Sequence, residues 1–357
     1  DQHNRDNQRC NYAAHLREEM SLGWHQLINN EIISGTKEDL MDFIYKGLVD
    51  LVLHEVGHTL GLRHNFKASS IYSIEQLSDK NFTRKYGISG SVMDYHPVCL
   101  LDQGNTLFQT KPGPYDFWAI EYGYKQFTDD NEKLYLDKIA SKSNHPLLAY
   151  GTDEDTFGRS SRGIDPLSNV WDMSNDPIKF YITKLEGAKK LWATLLSKFE
   201  HDGQRYQKIR SVFSQGIGEY INAGVSAPKF VGGIYFNRNH IGDEGEKPPF
   251  IVVSPKKQRE AVDFLVSYYF DKDAFYFDPE LLNKLSPERH EDFRNYVWRL
   301  DRNDYPIHSV VQRIHIYTLY SLFHPRRLAR IHDNEVKNNF QDMFTMDELF
   351  NDINTII

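Results

Sequence analysis

Residues 51–66, LVLHEVGHTLGLRHNF, hold three histidines and a glutamate at fixed offsets within an otherwise apolar run. On a helix, His54 and His58 stand one turn apart on the same face, so two imidazoles reach one ion. Glu55 is rotated about 100 degrees from His54. It is too far round to be an equal ligand, but close enough to act as base on water held at the metal. A catalytic zinc site takes three protein ligands and keeps one position open. His64 supplies the third if the helix stops after His58 and the chain folds back, and Gly61 is the residue type that tolerates the left-handed conformation of such a turn. The alternative is a helix whose histidines are satisfied by neighbouring groups. For the whole pattern H-E-x-x-H-x-x-G-x-x-H the chance expectation is on the order of one in ten thousand, and the metal reading is preferred.

The rest of the chain narrows the setting. A length of 357 residues suffices for two ordinary domains. The net charge of -8 is scattered in mixed-sign clusters without a basic stripe, which argues against nucleic acid as a partner. No apolar run approaches the roughly 20 residues that span a bilayer, so no membrane span is expected. The N-terminus, DQHNRDNQRC, has neither an initiator methionine nor a hydrophobic signal segment. Cys10 and Cys99 are too few for a disulfide scaffold and lack C-x-x-C spacing, leaving one bridge or two free thiols.

Periodicity predicts a mainly α chain with a minor β component. Ala13, Leu16, Met20, Trp24, Leu27 and Ile28 mark an amphipathic helix over 11–30, read as scaffold rather than site. Thr36 and Asp39 form a capping-box pattern that opens a long helix into the histidines. Short helical pieces end at Gly87, and a further helix is opened by Pro114 and closed by Gly123. Residues 1–140 thus form a zinc-binding region, 141–178 an irregular connection and 179–357 a mainly helical region, with strand candidates in KFVGGIYFNRN and PPFIVVS. Asp153, Glu154, Asp155 and Asp165 are calcium-type ligands without EF-hand spacing, so calcium is unsupported and a solvated acidic loop is expected. His96 is read either as lining a substrate pocket or as a packing histidine.

HEVGHTLGLRH resembles the zinc motif of the metzincin metallopeptidases, and SVMDY, beginning at Ser91, resembles their Met-turn. The resemblance implies that Met93 forms a floor beneath the zinc ligands. It also implies that Tyr95 matches a tyrosine that binds zinc at rest or stabilises the transition state in some members. Asn65 departs from the residue usual after the third histidine in better-known subgroups, so subgroup specificity is not carried over. HNFKASS, GPYDFWAIEYGY and the region around FVGGIYFNR resemble a group of large, mostly bacterial zinc-dependent metalloproteases.

The function implied is a zinc endopeptidase acting on protein or peptide substrates, secreted, periplasmic or at the cell surface. A zinc-containing binding or scaffold protein, and a zinc hydrolase of non-peptide amides, stay open as alternatives. Metzincins place a mixed sheet ahead of the active-site helix, yet the 53 residues before His54 read as helices. The expectation is therefore the C-terminal part of a metzincin-like catalytic domain followed by a helical region. Its substrate-aligning sheet would lie in an upstream segment of the same precursor, and the fragment alone would be weakly active or inactive.

Overall fold

A computed structural model describes residues 11–101, 106–128, 131–157, 163–243, 245–287, 302–338 and 341–355. It is mainly α-helical, with a single two-stranded sheet among the described residues. The chain divides into two compact units, Asp1–Thr152 with Val170–Asn175, and Asp153–Asn169 with Asp176–Ile357. The division falls at Thr152, within the stretch read as a connection, and residues 170–175 return to the first unit.

In the first unit, α1 (Tyr12–Asn29) packs against α2 (Lys37–Thr59). The α2 N-terminus is fixed by the capping box: Asp39 N–H donates to Thr36 Oγ1 at 3.1 Å and Thr36 N–H to Asp39 Oδ2 at 3.0 Å. The buried face of α2 is narrow: Phe43, Gly47, Asp50, His54 and Gly57 at three- and four-residue steps. A Cβ at Gly47 would stand 2.5 Å from Met20 Cε, so glycine there permits the close approach of α1. Leu40, Ile44, Leu48 and Val52, although apolar, lie on the exposed face. In α1 the inward residue is Tyr12, while Ala13 is exposed. The core gathers Tyr12, Leu16, Leu27, Phe43, Phe66, Tyr95, Val98, Phe108 and Trp171, and each large side chain removed from water contributes about 1.5–3 kcal/mol.

Beyond α2 come α3 (Ile74–Ser78), α4 (Lys80–Tyr86), α5 (Pro114–Tyr124) and α6 (Glu132–Ala140). Gly87 ends α4 with φ +81°. Gly123 does not close α5, which continues through it to Tyr124; a glycine weakens a helix without obliging it to stop.

The second unit begins with the single turn α7 (Asp153–Thr156) and is dominated by α8 (Pro177–Phe199) and α9 (Tyr206–Ser226). Ile178, Tyr181, Leu185, Ala188, Trp192, Leu195 and Phe199 alternate three- and four-residue steps and are all buried. Gly216 of α9 leaves room for the Trp192 ring, and Lys184 meets Glu219 across the same interface at 2.8 Å. The predicted strands pair antiparallel as β1 (Ile234–Phe236) and β2 (Phe250–Val252), with Ile234 opposite Val252. α10 (Pro255–Leu265) opens on Ser254, whose hydroxyl accepts the Lys257 N–H. α11 (Pro279–Asn283), α12 (Ile307–Leu322), α13 (Pro325–Lys337) and α14 (Met346–Asn354) complete the described α-helices.

Candidate metal centre

α2 ends in a Schellman turn. Leu62 N–H donates to Gly57 O at 3.1 Å and Gly61 N–H to His58 O at 3.0 Å, with Gly61 at φ +85°. Nothing crowds a Cβ at Gly61, so its requirement is conformational rather than steric. The turn reverses the chain, and His64 comes back beside the two helical histidines. Among the described residues, His54, His58 and His64 are the group whose ligand atoms converge, all within 4.8 Å of one another. Two Zn–N bonds of about 2.1 Å at a tetrahedral angle separate their nitrogens by about 3.4 Å, inside that limit.

Two of the three rings are oriented by backbone carbonyls. His54 Nδ1–H donates to Val92 O at 2.8 Å and His58 Nδ1–H to Leu62 O at 3.0 Å. A proton on Nδ1 leaves Nε2 as the lone-pair nitrogen, the tautomer a metal ligand needs. The Nε2 atoms of His58 and His64 are withdrawn from solvent. A donor set of three imidazoles, two of them oriented by carbonyls, fits zinc. Glu55, next to His54 on α2, is solvent-exposed.

The turn Ser91–Tyr95 lies against the helix. Met93 is fully buried, and a Cβ at Gly57 would overlap its sulfur, so glycine between the helical histidines admits the methionine. Asn65 N–H donates to Met93 O at 2.9 Å, joining the third-histidine loop to this turn. The Tyr95 ring lies 5.4 Å from that of His54 and 5.0 Å from that of His64. Its hydroxyl accepts the Asn11 N–H at 3.3 Å.

Tyr12, Asp50 and Gly57 at this site were not singled out in the sequence. On α1, Tyr12 is fully buried, 4.7 Å from the His54 ring and stacked at 4.9 Å on Tyr95. Burial, with Asp50 facing it, raises the Tyr12 pKa well above the ordinary phenol value. His96 is buried, with Nδ1 3.4 Å from Asp50 Oδ1 one helical turn before His54, and Gln109 N–H donates to Asp50 Oδ2 at 3.0 Å. Burial disfavours the charged imidazole, yet the carboxylates of Asp50, Asp94 and Asp116 outweigh it and raise the His96 pKa. Asn65, fully buried, binds Ala149 O through Nδ2 at 3.0 Å and accepts Gly151 N–H at 3.2 Å. The available signals were the glycine inside the H-E-x-G-H run and the departure at Asn65; Tyr12 and Asp50 carried none.

The acidic group does not converge. Asp155 pairs with Arg238 at 2.6 Å, and Asp165 is buried rather than solvated, accepting the N–H groups of Leu167 and Phe236 at 2.9 and 3.0 Å. Cys99 is buried, and Cys10 lies outside the described residues.

Two histidines one turn apart on a helix, joined by a third from the loop after its C-terminus, are placed to bind one metal ion. The family model described as Met-zincin matches residues 36–357, and the chain belongs to that family. Membership and the histidine trio together support a metzincin-type zinc metalloprotease in general. No curated protein and no solved structure matches the chain.

Proposed function

We propose that the protein is a zinc-dependent endopeptidase in which His54, His58 and His64 hold the metal and Glu55 is the general base. The observation that carries this reading is the convergence of three imidazoles within 4.8 Å, with a carboxylate at the next helical position. When bound, zinc supplies Lewis acidity, polarising a carbonyl and acidifying water. The Glu55 carboxylate takes a proton from the water that attacks the scissile carbonyl, then returns it to the leaving amine. The Tyr95 hydroxyl donates to the oxyanion that develops, an interaction made chiefly in the transition state. Met93 forms the floor of a Met-turn and Gly61 sets the reversal that delivers His64. Protein or peptide is the substrate, encountered outside the cytoplasm as the family resemblance implies. Among the described residues, no helix is long and apolar enough to cross a membrane.

Metal analysis with an unbiased peptide-cleavage assay tests the proposal. One zinc per chain is expected, with cleavage abolished by a chelator and restored by zinc. His58→Ala should lose stoichiometric metal. Glu55→Gln should keep it while losing at least about a hundredfold in turnover. Full turnover in Glu55→Gln would sink the mechanism, and activity confined to simple amides would favour the non-peptide hydrolase.

A further inference from the structure

A directional hydrogen-bond chain leads away from His54. Its Nδ1–H donates to Val92 O at 2.8 Å, and the amide N–H of the same peptide unit, on Met93, donates to Ser91 Oγ at 3.0 Å. The Ser91 hydroxyl donates in turn to Asp116 Oδ1 at 2.5 Å. His54 and Ser91 are fully buried and Asp116 is nearly so. Each link donates in the same sense, so each polarises the next, and the terminal carboxylate is the electron-rich end.

Asp116 is rigidly presented. Pro114 opens α5, and Asp116 at the third helical position caps its own helix by accepting Gly113 N–H at 2.7 Å on Oδ2, which also takes Val92 N–H at 2.9 Å. Tyr115 N–H donates to Gly90 O at 3.0 Å, and a Cβ at Gly113 would overlap the Gly90 carbonyl, so the α5 terminus sits directly on the backbone preceding the turn. With Oδ2 occupied by two amides, Oδ1 is directed to Ser91.

We propose that Asp116 is a positioning residue for the metal site, acting on His54 through the Ser91 hydroxyl and the Val92–Met93 peptide. Metal-bound histidines commonly give their second N–H to a carboxylate or carbonyl, which fixes the ring and raises its basicity. Here the carbonyl is the near partner and a carboxylate stands behind it, two links away. The inference rests on the reading that His54, His58 and His64 hold zinc.

Zinc affinity measured by chelator competition, together with the visible absorption of the cobalt(II)-loaded protein, tests it without recourse to turnover. Ser91→Ala cuts the chain while leaving both amides on Asp116 Oδ2; Asp116→Asn removes the charge. Each should weaken zinc about 10- to 100-fold and shift the cobalt bands, and the double variant should be no weaker than the worse single one. Ser91→Thr, which keeps the hydroxyl, should recover affinity relative to Ser91→Ala. Leu77→Ala, a core truncation in the same unit away from the chain, controls for lost stability. Ser91→Ala and Asp116→Asn affinities within about twofold of the parent, or an equal loss in Leu77→Ala, would make Asp116 a purely structural cap. Failure of the parent chain to take up zinc would overturn the histidine reading itself, and this inference with it.

Discussion

Gly57 and Met93 occupy each other's space: the methionine sulfur lies where a side chain at position 57 would begin. The contact places Met93 against α2 between His54 and His58, so the helix and the turn Ser91–Tyr95 can be close only with glycine there. Alanine is the better helix former by about 1 kcal/mol. Gly57→Ala should nevertheless destabilise the protein, by about 1–3 kcal/mol for overpacking. Urea unfolding decides, and a variant as stable as the parent would show that the sulfur moves aside freely.

Met93 and Tyr95 should separate stability from rate. Met93→Ala empties a fully buried position and should cost about 2–5 kcal/mol. Tyr95→Phe loses only the hydroxyl that accepts Asn11 N–H at 3.3 Å, so folding should change by less than about 1 kcal/mol. Its turnover should fall about 100-fold or more if the hydroxyl serves the oxyanion. Small effects of both variants on both quantities would detach this turn from the proposed site.

Asn65→Ala should open the loop that carries His64. The change leaves Ala149 O and Gly151 N–H without their side-chain partner, at about 1–3 kcal/mol for each buried group left unsatisfied. Faster proteolysis around residues 149–151 and weaker zinc retention are expected. Unchanged proteolysis would show that water replaces the amide.

Thr36→Ala should cost about 1 kcal/mol by removing the hydroxyl that caps α2. The reciprocal half of the box is pH-sensitive. Amide and hydroxyl hydrogen bonds from Thr36 hold the Asp39 carboxyl below its ordinary pKa. A carboxylate with a lowered folded pKa contributes stability that is complete above about 3.9 and is lost as pH falls through the folded value. Asp39→Asn should therefore flatten the acid limb of the stability curve. An identical acid limb in parent and variant would remove Asp39 from that account.

The helices around the centre were legible because their signals are local. Thr36 and Asp39 cap through groups three residues apart, Gly61 supplies a left-handed turn by its own backbone freedom, and His54 and His58 share a face through helical periodicity alone. Burial along α2 was not legible in the same way. The apolar residues of the helix surround its axis, and only packing selected Phe43, Gly47, Asp50, His54 and Gly57 as the inner face, leaving Leu48 and Val52 outside.

What the sequence determined by itself was the histidine pattern, the helical character and the two strand segments, since each depends on residues near in the chain. Tertiary structure alone decided that Tyr12 stacks on Tyr95, that His96 turns inward to Asp50, and that Asp116 reaches the His54 carbonyl partner through Ser91. These partners are separated by 83, 46 and 25 residues. A tyrosine, a histidine or an aspartate in isolation carries no mark of its distant partner. Burial favours the Asp50–His96 and Ser91–Asp116 pairings, because a polar group withdrawn from water loses free energy unless it finds a hydrogen bond, whereas the Tyr12–Tyr95 stack is a packing contact between buried rings.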